Sequence, residues 1–185
     1  SGDKADLGDG PPITAMIIQG TNPMAIAPDQ NKVREGFLRE DLFVCVHEQF
    51  MTETAAMADI ILPATTFVEH DDFYKSGGHT FIHYGPQIIE PVGQSRPNHF
   101  VICEIAKRLG AKHRGNSMTA NEIIDETFKV SGMPDLDSMR KNHFHDCAES
   151  FEKHHFIDGF DWPDKKFRFK PKWETIGPRG HELPI

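Results

Sequence analysis

Cysteine is scarce in this chain, and the few cysteines are far apart. The 185 residues contain three, Cys45, Cys103 and Cys147, with no CxxC pair. An odd number of widely separated thiols does not build a disulfide framework, and the cysteine runs that hold iron–sulfur clusters are missing. The composition therefore argues against both kinds of site in this stretch and favours a reducing compartment, so we expect a cytoplasmic location.

Long apolar runs and an excess of positive charge are also missing. The longest apolar stretches, Ile13–Ile18 and Ala58–Leu62, are much shorter than the ~20 residues that span a bilayer. The formal net charge is −8 and the sequence pI is about 5.7, which argues against a nucleic-acid surface. Any bound phosphate must therefore be met locally, by backbone N–H groups and a few side chains. Because the sequence starts at Ser1 without methionine, we expect a piece of a longer chain.

The first half of the sequence alternates strand and helix patterns. Ile13–Gln19 is a short apolar run typical of a buried strand, and after the loop Gly20–Pro28 the residue Asp29 is a candidate helix N-cap. Apolar runs at Leu42–Val46 and in the DIILPAT segment predict two further strands. This alternation predicts the α/β class, with a Rossmann-like open parallel sheet flanked by helices.

Turn residues and helix caps mark the second half. The segment YKSGGHTFIHYGPQIIEP predicts a short hairpin, and Asn98–Leu109 predicts a helix with Asn98 as its cap. Thr119 and Glu122 form a capping box that opens another helix. Beyond residue 132 the periodic pattern weakens, and aromatic, proline and basic residues alternate.

These patterns divide the chain into three parts. Residues 1–12 are predicted to be a flexible lead-in. Residues 13–132 are predicted to form the α/β nucleotide-binding domain. Residues 133–185 are predicted to be an irregular or helical extension with an extended C-terminal tail, which leads toward a further domain.

Polar residues collect where the predicted strands end. In open α/β sheets, ligands bind outside the carboxyl ends of the strands, and the Gly20–Pro23 turn, the pair His47–Glu48 and several threonines stand there. The turn could hold phosphate through backbone N–H groups, or it could be an ordinary βα turn. Glu48 could accept from ribose hydroxyls or a guanine edge, or it could be an acid favoured by a helix dipole. No nucleophile–base set accompanies them, so no catalytic residue is predicted.

A histidine-rich stretch near the C-terminus raises a metal-binding alternative. The segment HFHDC contains His143, His145 and Cys147, and His154 and His155 follow it. This spacing matches none of the structural zinc patterns, in which ligands come as two closely spaced pairs. We therefore predict no metal site, and keep a metal-binding interaction module as an alternative.

Several motifs together resemble one enzyme family. GTNP follows the first strand, REDLFVCVHEQFMTETAAMADIILPA spans the next two, and VEHDD, EPVGQSRPN and EIAKRLG come after them. Their order and spacing resemble the third domain of the dimethyl sulfoxide reductase family, over residues 12–110. The TETA…ADIILPA portion is the most specific, and the later HFIDGFDWPDKKFRFKPKW is similar to segments that some members carry before their last domain.

The resemblance implies a cofactor and a role for this domain. Members are molybdopterin oxidoreductases, including formate dehydrogenases and nitrate reductases, and they hold molybdenum or tungsten in bis(molybdopterin guanine dinucleotide). Their third domain is Rossmann-like and binds the nucleotide half of one copy, while the cofactor carries the redox chemistry. By resemblance, the cofactor-binding residues are Gly20, Thr21, Asn22, Pro23, His47, Glu48, Thr54, Asp59, His70 and Asn98.

Two of these positions depart from the family pattern. His70 stands where many members have lysine, so a charged phosphate contact there is in question, and Asn98 stands where relatives often have aspartate. In the family, the metal ligand and any iron–sulfur cluster lie upstream of this region. The resemblance therefore implies a fragment, inactive alone, whose partners are the other domains of its subunit and an electron-transfer subunit. A formate dehydrogenase-like parent is the leading hypothesis, and a stand-alone Rossmann-like nucleotide-binding protein is the alternative.

Overall fold

A three-stranded parallel sheet organises the first part of the molecule. In the computed structural model, which describes residues 10–169, the strands are β1 (Ala15–Gln19), β2 (Phe43–Glu48) and β3 (Ile60–Pro63). They pair in the order β1-β2-β3, with Ile17 opposite Cys45 and Cys45 opposite Ile60. The predicted α/β class with an open parallel sheet is confirmed.

Short helices connect these strands. Between β1 and β2 lie α1 (Pro23–Ile26) and α2 (Gln30–Phe37), and a 3-10 helix (Ala55–Met57) lies between β2 and β3. Asp29 caps α2 as predicted, because its Oδ1 accepts a hydrogen bond from the N–H of Lys32 at 3.3 Å. Each connection therefore carries the chain back to the edge of the sheet where the previous strand began, so that the next strand runs parallel to it.

The two faces of the sheet are buried to different extents. Ile18, Val44 and Val46 pack on one face against Ala55 and neighbouring apolar residues. Side chains alternate between the two faces along a strand, so Ile17, which precedes Ile18, lies on the opposite face. Ile17 is 58% exposed, whereas Ile18 is 7% exposed. The sequence predicts strands covered on both faces, and the described residues cover one face fully and the other in part.

A second sheet begins with the predicted hairpin. β4 (Asp72–Lys75) and β5 (Phe81–Gly85) pair antiparallel, and β6 (Phe144–Asp146) completes the order β4-β5-β6. The hairpin prediction is confirmed. β6 is missing from the sequence prediction because a three-residue strand carries too little alternation to detect.

Three α-helices lie between β5 and β6 in the chain. They are α3 (Asn98–Arg108), α4 (Ala120–Val130) and α5 (Leu136–Asn142). Phe128 of α4 and Met139 of α5 are almost fully buried, in one cluster with Tyr84. No helix in residues 10–169 has the length and apolar character needed to cross a bilayer.

The two predicted helix caps have different outcomes. At α4 the capping box is present, since Thr119 N–H donates to Glu122 Oε2 at 2.7 Å and Glu122 N–H donates to Thr119 Oγ1 at 3.2 Å. At α3 the prediction of Asn98 as the cap is wrong. Pro97 holds the cap position with φ −70° and ψ 155°, because its ring fixes φ and it has no N–H to leave unpaired. Asn98 therefore becomes the first helical residue.

Contacts group the described residues into two units, one that ends at His145 and one that begins at Asp146. In the second unit, α6 (Phe151–His154) is followed by turns, and Phe156 stacks on Phe160 with ring centroids 4.5 Å apart. Residues 1–9 and 170–185 lie outside the described residues, and with them most of the predicted lead-in and the end of the predicted tail. The domain limits predicted at residues 12 and 132 stay predictions.

Glu69 joins two loops beside β3. Its carboxylate accepts hydrogen bonds from Thr66 N–H at 2.6 Å, Thr66 Oγ1 at 2.9 Å and Val92 N–H at 2.6 Å. The residue is 5% exposed. The backbone N–H groups of Thr66 and Val92, followed by the Thr66 hydroxyl, hold the pKa of Glu69 below its ordinary value. Folding therefore favours the ionised form.

We expect Glu69→Gln to lower the thermal midpoint at neutral pH by several degrees, because an amide offers one acceptor oxygen where the carboxylate offers two. The carboxylate's pKa is lowered by folding, so its contribution is complete above the ordinary value of 4.5 and is lost as pH falls through the folded pKa. Thermal unfolding from pH 7 to pH 3 should show the two proteins converging. A constant difference, or an equal effect from the exposed control Glu40→Gln, would contradict this role.

Candidate functional site

The carboxyl ends of β1, β2 and β3 meet at one edge of the sheet, which we call the strand-end surface. It comprises the turn Gly20–Pro23 and the segments Glu48–Thr54 and Ala64–His70. Backbone hydrogen bonds tie its parts together: Gly20 N–H donates to the His47 carbonyl at 3.3 Å, and Ala64 N–H donates to the Glu48 carbonyl at 3.0 Å. Polar residues that are distant in sequence therefore share one surface.

Asn22 fastens the first turn to the loop after β2. Its Oδ1 accepts from the Thr54 hydroxyl at 2.7 Å and from Thr54 N–H at 3.3 Å. The Thr54 hydroxyl in turn accepts from Met24 N–H at 3.1 Å, and Thr54 is fully buried. Each polar atom of this contact has a partner, so the turn is held in one position.

Glu53 completes the contact with Asn22, and it is not among the predicted site residues. Asn22 Nδ2 donates to Glu53 Oε2 at 2.8 Å. This hydrogen bond is the main reason that the pKa of Glu53 lies below its ordinary value. The TET triplet does place Glu53 at a strand end, but no sequence pattern pairs it with Asn22, 31 positions away.

The turn itself leaves its backbone accessible. Gly20 has φ +59°, in the left-handed region that disfavours side chains. A Cβ built at this position would meet no atom within 4 Å. Glycine is therefore required by the backbone conformation and not by protein packing, and the space in front of it is free for a ligand.

His47 is buried and holds the sheet edge together. Its Nδ1 lies 2.8 Å from Gln19 Nε2, and its Nε2 lies 3.0 Å from the Arg96 carbonyl oxygen. A carbonyl only accepts, so Nε2 carries the proton, and Nδ1 accepts from the Gln19 amide. Both ring nitrogens are thus occupied by protein, which joins the ends of β1 and β2 to the chain before α3.

A chain of contacts runs from the end of β2 to His70. Glu48 follows His47, is partly exposed, and accepts from Gln49 N–H at 2.7 Å. Gln49 Nε2 donates to the Thr65 carbonyl at 2.9 Å, and the Thr65 hydroxyl lies 2.8 Å from His70 Nδ1. His70 is therefore fixed relative to Glu48 through two intervening side chains.

A pocket of about 590 Å³ adjoins this edge and contains His70 and Asn98. His70 and Asn98 are far apart in sequence. They meet because the start of α3 brings Asn98 next to the loop that carries His70. The other polar side chains of the pocket include Asp71, Asp72 and Asn121. Its volume is in the range of small-molecule sites.

Asp59 stands apart from the other predicted residues. It precedes β3, and its Oδ2 accepts from Val44 N–H near the start of β2 at 2.7 Å. Asp59 is thus at the amino ends of the strands, across the sheet from the strand-end surface. There it fixes the register between β2 and β3.

The histidine-rich segment shows no metal centre in the part of the chain that the structure describes. Among residues 10–169, no group of three histidine, cysteine, aspartate or glutamate side chains is placed to hold a metal ion. His155 stacks on Phe151 with centroids 4.0 Å apart, and its Nδ1 lies 2.9 Å from the Phe151 carbonyl oxygen. Local packing accounts for this histidine.

Comparison with known proteins decides the family. A family model described as molybdopterin oxidoreductase matches residues 7–108, which include the parallel sheet, the strand-end surface and all of α3. The chain belongs to the molybdopterin oxidoreductase family.

The relatives of this chain include proteins with different named activities. The chain is 42% identical over 139 residues to the probable oxidoreductase YoaE of Bacillus subtilis, with 72% of this chain and 20% of that protein covered. It is 31% identical over 156 residues to the F420-dependent formate dehydrogenase 2 subunit alpha of Methanococcus maripaludis, with 84% and 21% covered. The chain therefore spans about a fifth of the length of these relatives.

A solved structure supports the fold. Acetylene hydratase from Pelobacter acetylenicus matches with a TM-score of 0.67 at 23% identity, covering 84% of this chain and 21% of that one. At this identity the match concerns the fold alone. It agrees with the open parallel sheet predicted from the strand and helix patterns.

We expect Asn22→Ala and Thr54→Val each to reduce the free energy of unfolding by about 1–3 kcal/mol, since each leaves a hydrogen-bonding partner unpaired. Urea unfolding of the two variants and the double variant measures their coupling. The loss in the double variant should be smaller than the sum by about 0.5–3 kcal/mol. Additive losses would show that the two side chains act independently, and the exposed control Asn31→Ala should change little.

Proposed function

We propose that this chain is the nucleotide-binding domain of a larger molybdopterin oxidoreductase, in which it holds the guanine dinucleotide end of one molybdopterin guanine dinucleotide. The observation that carries the proposal is geometric. A chain of this family brings the Gly20–Pro23 turn and Glu48 to one edge of a parallel sheet, beside the pocket of His70 and Asn98. Open α/β sheets bind nucleotides at that edge.

The residues at this edge fit a nucleotide in distinct ways. The open space in front of Gly20 admits a phosphate beside the turn. Gly20 N–H itself donates to the His47 carbonyl, so the phosphate would be met by the N–H groups that follow it in the turn. In this proposal Glu48, at the end of the central strand, accepts hydrogen bonds from the ribose hydroxyl pair. His47 and Thr54 are occupied by protein contacts and so position the edge, whereas Asp59 supports the sheet from its opposite end.

Charge at the edge limits what this domain supplies. None of the ten predicted cofactor-binding residues is lysine or arginine, and His70 replaces the lysine that the resemblance leads one to expect. Phosphate charge at this edge is therefore met by backbone dipoles and by cationic groups from the rest of the parent protein. Such a domain holds the cofactor weakly alone, which is why we propose that the isolated chain is inactive.

The chemistry belongs to the parent as a whole. When bound, the molybdopterin cofactor with its molybdenum or tungsten supplies two-electron redox chemistry, and the residues of this chain bind and orient its nucleotide end. The formate dehydrogenase subunit among the relatives supports a formate dehydrogenase-like parent. An iron–sulfur cluster and an electron-transfer subunit belong to the same proposal.

We expect Glu48→Ala in the full-length parent to lower its content of bound cofactor by roughly tenfold or more, because a charged hydrogen bond contributes about 1.5–3 kcal/mol. The measurement is GMP released by acid hydrolysis, together with metal by plasma mass spectrometry, per polypeptide. Both should fall together, since one molecule carries both.

The exposed residue Glu35 on α2 offers a matched control. Glu35→Ala removes the same side chain away from the strand-end surface and should leave GMP and metal unchanged. Equal metal and GMP content in Glu48→Ala and wild type would rule out the role assigned to Glu48. A loss of folded protein in place of cofactor would do the same, and thermal unfolding of the variant detects it.

A further inference from the structure

The second unit of the chain presents aromatic side chains to solvent. None of its described residues, 146–169, is buried. Large apolar side chains are exposed instead: Phe156 is 50% exposed, Phe167 53% and Phe169 86%. Folding draws its main driving force from apolar surface removed from water, so this unit gains little stability until another surface covers these rings.

Four of the rings form one continuous patch, which we call the aromatic surface: Phe156, Phe160, Phe167 and Phe169. Phe156 stacks on Phe160, and the centroid of Phe160 lies 5.2 Å from that of Phe167. The ring of Phe169 follows at 4.9 Å from Phe167. Contiguous apolar patches on soluble proteins mark sites of interaction more often than isolated apolar residues do. The arrangement of these rings is therefore that of a contact surface.

A closed loop holds the rings in this arrangement. Gly159 has φ +86°, and a Cβ added there would lie 2.7 Å from the carbonyl oxygen of Lys165. The same carbonyl accepts from Phe160 N–H at 3.0 Å, and Lys165 N–H donates to the Trp162 carbonyl at 2.8 Å. Only glycine permits this close approach. The aromatic surface is therefore preformed, and docking requires little further ordering of the loop.

Phe156 occupies a backbone position that ordinarily belongs to glycine. It follows the C-cap of α6 with φ +53°. Its N–H donates to the Lys153 carbonyl at 3.2 Å, and Ile157 N–H donates to the Glu152 carbonyl at 2.9 Å, which is the hydrogen-bond pattern of the Schellman motif. A bulky side chain in the left-handed region strains the backbone. A contact of this ring with a surface outside the unit accounts for a phenylalanine there.

We propose that the aromatic surface docks on an apolar face of the parent polypeptide outside this chain. The chain spans about a fifth of the length of the relatives named above, so most of such a parent is available as the occupant. The second unit lies beyond the segment that the family model matches, and docking gives it a role: it joins the nucleotide-binding domain to another part of the subunit. This role depends on the larger parent that we propose above, and not on its cofactor.

Photo-cross-linking in the full-length parent tests the docking and identifies the occupant. Phe167 is replaced by p-benzoylphenylalanine, which keeps a large aromatic side chain, and the cross-linked peptides are mapped by mass spectrometry after irradiation. We expect cross-links within one polypeptide, to residues outside this chain. Phe151 offers a control in the same unit, since it is 64% exposed and its ring stacks on His155, away from the aromatic surface. The same replacement there should give only a small fraction of the yield.

The cross-linked product distinguishes the possible occupants. A yield no higher than that of the Phe151 control would show that the aromatic surface is free and would overturn the inference. Cross-links between two copies of the parent, or to a separate subunit, would also overturn it, because the occupant would lie outside the polypeptide. A parent with the expected cross-links but without metal and GMP would instead contradict the proposed function and leave the docking intact.

The sign of a stability change gives a second measurement. Phe156→Gly relieves the left-handed strain but removes the ring. If the ring is covered in the parent, the variant should lower the thermal midpoint of the parent, because buried contacts are lost. His143→Gly is the matched control, since His143 is exposed and ends α5 with φ +65°, so glycine there should not lower the midpoint. An unchanged or raised midpoint for Phe156→Gly would contradict the docking.

Discussion

Parallel pairing of β1, β2 and β3 determines which residues of this chain can form one site. Parallel strands must all end at the same edge, so the residues that follow each strand are brought together whatever their distance in sequence. Gly20, Glu48 and His70 share one edge for this reason. An antiparallel arrangement of the same segments would send alternate ends to opposite edges and would leave no common surface.

Pairing alone does not give that edge a defined shape, and buried side-chain hydrogen bonds do. His47 joins the ends of β1 and β2 to the chain before α3, and Asn22 with Thr54 fixes the first turn. These contacts satisfy groups that would otherwise be unpaired in the interior, so each is costly to break. The consequence for function is that a ligand meets a preformed edge and does not pay to order it.

The sequence is informative about the fold because its signals are local. Apolar runs identify all three parallel strands, Asp29 identifies a cap, and the TANE capping box identifies the start of α4. The cap of α3 is Pro97 and not the predicted Asn98. The fixed φ of proline outweighs the preference of asparagine for the cap position there. The short strand β6 carried too few residues for a pattern.

The site is less accessible from sequence because its contacts are long-range. The strand-end rule locates the turn and Glu48, but the pairing of Asn22 with Glu53 and the use of both His47 nitrogens depend on tertiary geometry.

We propose that this domain holds the nucleotide end of a molybdopterin guanine dinucleotide. The most direct test is to purify the full-length parent natively, to measure molybdenum and tungsten by plasma mass spectrometry, and to measure GMP released by acid hydrolysis. We expect about two GMP per metal atom, one for each cofactor copy around the metal. A parent with neither metal nor GMP, from a host able to make the cofactor, would contradict it.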